Sequence, residues 1–353
     1  MEAPHHAGGP EGVRVAALSP SRAATRLRIL SGHRPTGPLH LGHLVGALDN
    51  WLRLQEEHEC LFAICDWHAL TSEYARRSPL AEWTHQIAVE WMAAGLDPAR
   101  ATLFVQSDVK EHAELHLLLS MLVPLPWLER VPTFKEQQQQ LTDRDLSTYG
   151  FFGYPVLQSA DILIYKANLV PVGEDQLSHI EFTREVARRF NSLYGPVFPE
   201  PEARLTPAAR LPGTDGRKMS KSYGNAVNLG DAPEEIRTKI ARMVTDPARV
   251  RRSDPGNPDV CPVFSVHKVF TEEGRRAGID RDCRSAAIGC LDCKEVLSDR
   301  ILTRIAPLQE KRASLIGDRR QVSEVLAAGA ERARPLARAT MAEVRECMVG
   351  RRD

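Results

Sequence analysis

Apolar positions along this chain follow two alternating rhythms. Short, mainly apolar runs at residues 27–30, 61–65, 101–106 and 169–172 have the length and composition of strands buried on both faces. Between them lie stretches with apolar positions three and four apart. From about Gly42 these are Leu44, Val45, Leu48, Trp51, Leu52 and Leu54; residues 84–94, 112–122, 157–165 and 175–191 read as further helices, with Gly95 and Gly195 as stops. Strand, helix and strand at this spacing predict a parallel sheet with crossover helices. The polar, Gln-rich run 136–148 and the proline-dense run 199–216 read as loops. Beyond Asn228 the character changes. Asp231 suits an N-cap with Pro233 in the first turn, and Ile236, Ile240 and Met243 follow at helical spacing. From Lys294 onward the pattern is helical, with breaks near Gly317 and Gly329. There is no internal repeat.

The expected organisation is a disordered tail (1–26), a Rossmann-like α/β domain (27–229) with an inserted segment at about 110–150, and a helical domain (230–353). Lys plus Arg and Asp plus Glu number 46 each, so no global field draws in a polyanion and any nucleic-acid site must be a local patch. No run of about 18 apolar residues suggests a membrane span. The tail lacks the apolar centre of a signal peptide, so a cytoplasmic chain with reduced or metal-bound cysteines is expected.

Two motifs carry the chemistry. Pro38-Leu39-His40-Leu41-Gly42-His43 lies where the first apolar run gives way to a helical pattern, beyond the C-terminal end of the first predicted strand. Such sheets bind ligands there. Gly32, Gly37 and Gly42 allow close backbone approach, a helix starting near Gly42 would aim its amides at an anion, and His40 and His43 can donate to phosphate oxygens. Lys218-Met219-Ser220-Lys221-Ser222 follows about 175 residues later in a Gly- and Ser-rich loop, where two ammonium groups can close over a triphosphate.

This pair resembles the two signatures of the class I aminoacyl-tRNA synthetases. The likeness implies amino-acid activation by ATP with Mg²⁺, then transfer to tRNA, with His40, His43, Lys218 and Lys221 acting on the phosphates. The run Tyr154-Pro-Val-Leu-Gln158-Ser-Ala-Asp161-Ile-Leu and then Val170-Pro-Val172-Gly173-Glu174-Asp175-Gln176 resembles the signature of the tryptophanyl-tRNA synthetases. The resemblance runs from about Arg28 to the C-terminus. It implies L-tryptophan and tRNA(Trp) as substrates, and a homodimer. An indole is an apolar plate with one N–H donor. Val170 and Val172 are candidate walls and Asp161 the acceptor, a discrimination that needs no editing domain. Tyr154 and Gln176 would take the amino-acid backbone, and His68 matches a position near the same pocket. Around ATP the resemblance places Arg34, Pro35, Thr36, Gly42, His43, Gly173, Glu174, Asp175, Leu211, Met219, Ser220 and Ser222 beside the two lysines. Gln158 stands where many family members carry Met, and Arg34 where others carry Gln.

Four of the seven cysteines follow the spacing Cys261-x21-Cys283-x6-Cys290-x2-Cys293. Tetrathiolate suits Zn²⁺ or a [4Fe–4S] cluster. The spacing is similar to that of tryptophanyl synthetases with a [4Fe–4S] cluster, one residue shorter in the first gap; zinc or no metal are the alternatives. Cys60, Cys65 and Cys347 read as buried thiols. Arg249, Arg251 and Arg252, and twelve Lys or Arg against seven Asp or Glu from Arg300 onward, suit phosphate contacts with tRNA. Rival readings are a tyrosyl-tRNA synthetase, a nucleotidyltransferase with a similar histidine turn, and a non-catalytic tryptophan-binding paralogue.

Overall fold

The computed structural model describes residues 26–75, 77–132, 145–205 and 211–350. The tail expected over 1–26, apart from Arg26, and most of the Gln-rich run fall outside them. Five parallel strands form one sheet: β1 (Arg28–His33), β2 (Glu59–Ile64), β3 (Ala101–Val105), β4 (Leu169–Val172) and β5 (Glu202–Leu205), in the order β3-β2-β1-β4-β5. Registers are in step, with Ile29 beside Cys60 and Cys60 beside Ala101. The direction of winding reverses between β1 and β4, the switch point at which such sheets open a crevice.

Alternate residues of β1, β2 and β3 enter opposite cores. Ile29, Phe62, Ile64 and Leu103 join one cluster with Trp51 and Trp91, whereas Leu30, Leu61, Ala63 and Phe104 join the other with Leu163 and Phe190. Both faces are covered, which is why the strands read as continuous apolar runs.

Two long helices, Cys290–Leu315 and Arg319–Val349, complete the packing. The second crosses the β3 edge: Val322 and Leu326 lie in the first core, and Ala333, Ala337 and Met341 in the second. Gly329 marks the crossing. A Cβ there would stand 1.7 Å from the Leu103 carbonyl oxygen. The expected helix break at Gly329 is therefore a close approach inside an unbroken helix, while the break near Gly317 is present.

Other expectations also change. Residues 202–205 form β5, an exposed edge strand whose Glu and Arg hide it from an apolar-run reading. The helix Pro233–Arg242 is capped by Ala232; Asp231 instead accepts from Asn228 N (2.7 Å) and Lys239 Nζ (2.6 Å), pinning the preceding loop. Cys347 is exposed, on the outer face of the last helix, and Cys65 is only partly buried; neither is the buried thiol expected. No helix among the described residues is long and apolar enough to cross a membrane.

Candidate active site

The C-terminal ends of four strands deliver the candidate residues to one crevice. His33 ends β1 and Arg34 follows it; Asp66 to His68 follow β2, Gln106 follows β3, and Gly173 follows β4.

The histidine turn is held from both sides. Leu41 N–H donates to Val227 O (3.0 Å) and Leu229 N–H to Leu39 O (2.9 Å), so the segment after the lysine loop pairs with the turn. Gly42 N–H donates to His40 Nδ1 (3.1 Å) and His40 N–H to His43 Nδ1 (3.1 Å). These amides are consumed within the protein, which corrects the expectation that the helix start would aim its amides at an anion. The same bonds settle what the imidazoles offer. Burial, then the neighbouring lysines, pull His40 down to about 4, and burial with the adjoining histidines and lysines puts His43 well below its ordinary value. Both are neutral at pH 7, and with each Nδ1 accepting, the proton sits on Nε2. Two Nε2–H donors, on rings 3.7 Å apart, are thus fixed in direction. The helix continues through a π segment, Leu44–Leu48, next to these donors.

The lysine loop lies over this turn. Lys221 Nζ donates to Gly37 O (2.7 Å), Met219 N–H to Leu211 O (2.8 Å), and Ser220 N–H to Asn225 Oδ1 (2.8 Å). Met219 and Leu211 are buried beneath it; Lys218 is exposed and reaches Asp175 Oδ2 at 3.6 Å, joining the loop to the Gly173–Asp175 bend after β4. Burial pulls Lys221 down to about 8, with Glu90 opposing and Arg34 adding to the fall. Arg34 and Ser222 are exposed, Thr36 is half-buried and Pro35 is buried.

Behind the crevice Asp161, 4% exposed on the helix Tyr154–Leu163, is the centre of a polar network. Its Oδ1 meets His112 Nδ1 (2.7 Å), its Oδ2 meets His68 Nε2 (2.9 Å), and Gln106 Nε2 spans both oxygens at 2.8 Å. A carboxylate only accepts, so these nitrogens donate, and His112 Nε2 lies 2.7 Å from the Tyr165 hydroxyl. Burial pushes the Asp161 carboxyl up, but His112 and His68 outweigh it and hold it well below the usual carboxylate range. Three donor nitrogens thus make four contacts with the two carboxylate oxygens. Val170 and Val172 are buried on β4, and Gln158 is half-buried on the Asp161 helix. His179 bridges the other end: its Nε2 meets Tyr154 Oη (3.2 Å) and its Nδ1 meets Gln176 Oε1 (2.9 Å).

Sequence reasoning passed over Gln106, His112, Tyr165, His179 and Glu90. Gln106 was findable as the polar residue ending the third apolar run, and Glu90 as the one charge in an apolar helical stretch.

The four cysteines come from three helices or their caps. Cys261 precedes the helix Pro262–Phe270, Cys283 lies in Glu273–Arg284, and Cys290 and Cys293 share the first turn of Cys290–Leu315. They are mutual neighbours: burial and the other three thiols push Cys293 up to about 12. Arg249 Nη1 donates to Cys283 Sγ (3.7 Å), and Cys293 Sγ meets His267 Nε2 (3.4 Å). Among the described residues no three His, Cys, Asp or Glu are placed to hold a metal ion.

The family described as tRNA synthetases class I (W and Y) matches residues 22–305. The tryptophan–tRNA ligase of Thermotoga maritima is 55% identical over 324 residues, covering 91% of this chain and 99% of that protein. That of Ralstonia nicotianae is 44% identical, covering 91% of this chain and 98% of its own length. A tryptophanyl-tRNA synthetase from Campylobacter jejuni, solved with ADP and tryptophan, aligns with a TM-score of 0.81 at 32% identity, covering 91% of this chain and 99% of that one. With motifs, sheet and crevice in agreement, the chain belongs to the class I tRNA synthetases of the tryptophan and tyrosine family.

Proposed function

We propose the following division of labour for the chain's tryptophan–tRNA ligase activity. The tryptophan carboxylate attacks the α phosphorus of ATP, an O–P bond forms, the bond to the bridging oxygen of pyrophosphate breaks, and pyrophosphate leaves. The 2′-hydroxyl of the terminal tRNA adenosine then attacks the activated carbonyl and AMP departs. His40 and His43 donate to phosphate oxygens through Nε2–H, and Lys218 and Lys221 neutralise the charge that builds on the leaving group. Arg34, Pro35 and Thr36 border the phosphates, and Gly173 to Asp175 face the ribose. Mg²⁺, carried by the phosphates, would withdraw charge from pyrophosphate. Asp161 accepts the indole N–H between Val170 and Val172, with His68 and Gln158 at the pocket, while Tyr154 and Gln176 take the amino-acid backbone end.

One observation carries the reading. Two motifs far apart in sequence close over the switch point, joined by the Lys221–Gly37 and Leu41–Val227 bonds, with a buried acceptor behind them. Tryptophan-dependent exchange of labelled pyrophosphate into ATP tests it, with tyrosine and phenylalanine as controls. Exchange with tryptophan alone is expected; exchange with tyrosine would assign the pocket to the phenol.

The cysteine set is read as a [4Fe–4S] site. Four neighbouring thiols with the Arg249 guanidinium against one of them support it, since a cation would remove the penalty their mutual proximity places on ionisation. A four-iron cluster also spreads its ligands wider than a single ion does. Iron and acid-labile sulfide in anaerobically purified protein test it, zinc or neither being the opposing results. The domain limits 27–229 and 230–353 belong to the same reading. Exposed Leu117, Met121 and Leu125 support a homodimer, which sedimentation would show.

A further inference from the structure

A buried carboxylate outside every motif stands where three parts of the molecule meet. Glu90, fully buried in the helix Leu80–Ala94, accepts the Leu39 N–H through Oε2 at 2.8 Å, one residue before His40. Its Oε1 faces Arg312 Nε at 3.5 Å, on the helix that begins at Cys290. Neither Glu90 Oε1 nor Arg312 Nε has a hydrogen-bond partner among the described residues. The chain makes room for this arrangement, since a Cβ at Gly230 would lie 2.7 Å from Arg312 Cζ. Lys221 Nζ is tied to Gly37 O at 2.7 Å, two residues before the Leu39 amide that Glu90 holds, so carboxylate and ammonium grip the same turn and the Glu90 charge favours the charged lysine.

Lys221 is half-buried and its one hydrogen-bond partner, Gly37 O, is neutral, so an ammonium drawn this far out of water gains from a nearby carboxylate. The other groups acting on Lys221 or acted on by it are Arg34, His33, His40 and His43, none of which is acidic. We propose that Glu90 is a positioning residue for the activation step, the buried counter-ion that keeps the Lys221 ammonium charged and in place over the histidine turn, with Arg312 fixing where that carboxylate sits. This rests on the reading that Lys221 acts on ATP.

The charges define a window. Burial pushes Glu90 up to about 6, against the Leu39 amide, Arg312 and Lys221; burial pulls Lys221 down to about 8. Both are ionised between those values, so the exchange rate falls on either side.

The test is tryptophan-dependent pyrophosphate exchange by the full-length protein from about pH 5.5 to 9, for the wild type, Glu90→Gln and Arg312→Met. Glutamine keeps an oxygen for the Leu39 N–H and removes the charge. In Glu90→Gln the exchange kcat is expected to fall about tenfold or more, the alkaline limb to move about one pH unit lower, and the acid limb to vanish. The KM for tryptophan should stay within about twofold. In Arg312→Met the acid limb should move to higher pH, because Glu90 loses a cation. Melting temperature and tryptophan binding, followed alongside, show that the variants are folded. Wild-type limbs in an otherwise active Glu90→Gln, or a loss shared by kcat and KM with unmoved limbs, would overturn the proposal and leave Glu90 a structural residue. A wild type without tryptophan-dependent exchange would overturn the reading of Lys221 itself, and this proposal with it.

Discussion

Replacing Asp161 by asparagine preserves the shape of the side chain while removing the charge and half of its acceptor capacity. The amide nitrogen must face either His112 Nδ1, now at 2.7 Å, or His68 Nε2, now at 2.9 Å, a donor against a donor. A hydrogen bond to a charged group contributes about 1.5–3 kcal/mol, and a buried donor left without a partner adds to the loss. We therefore expect about 2–4 kcal/mol of destabilisation at neutral pH. The folded carboxyl lies below its unfolded value, so this contribution is complete above about pH 4 and is lost as pH falls further. The gap between wild type and variant should narrow there. For the substrate, loss of an ionised acceptor for the indole N–H corresponds to about a 10- to 150-fold fall in kcat/KM. Pyrophosphate exchange with tryptophan and with 1-methyltryptophan, which lacks the N–H, isolates this contribution. The wild type should favour tryptophan strongly and Asp161→Asn only weakly. Equal discrimination by both proteins would refute Asp161 as the indole acceptor.

Three further outcomes are expected. In Gly329→Ala the usual helix gain of about 1 kcal/mol is overwhelmed by the contact with Leu103, for a net loss of about 2–4 kcal/mol in thermal unfolding; Gly317→Ala, with nothing within 4 Å, is the control, and an unharmed Gly329→Ala would contradict the crossing geometry. Burial holds His33 at about 3 and His40 at about 4, so the unfolded chain takes up protons that the folded state refuses. Stability should fall as pH drops below about 6.5, by about 2 kcal/mol for each of the two at pH 5, and a melting temperature flat from pH 7 to 5 would contradict this. Lys218→Ala should leave the melting temperature unmoved, since its pair with Asp175 is exposed, yet lower the exchange kcat; an unchanged kcat would remove Lys218 from the reaction.

Local patterns gave the fold wherever one local force decides. The strands around Ile29, Phe62 and Leu103 are buried on both faces, and nothing but an apolar run satisfies that. β5 escaped because only its backbone is needed at the sheet edge, leaving Glu202 and Arg204 free to be polar. Asp231 has an ideal capping side chain, but a loop four residues from the helix claimed it first. In the site, the motif residues were legible because their chemistry is local to each motif. Their partners were not: Trp91 Nε1 donates to His33 Nδ1 at 3.2 Å across 58 positions, and His112 reaches Asp161 across 49. Such pairs exist only once the strands have set helices side by side, and no spacing along the chain encodes them.

The last helix also bears on how the protein is made. β3 leaves the ribosome long before Arg319–Val349, the segment that straddles its edge, has been translated. At about 5–20 residues per second that interval is roughly 12–50 s. Through it the nascent sheet presents open backbone N–H and C=O groups at β3, a template for pairing with another chain. Every copy stalled or truncated before the helix is complete keeps that edge bare. Chain termination near the C-terminus should therefore yield aggregates rather than a weakened enzyme, and the final thirty or so residues act as the seal on a sheet finished long before them.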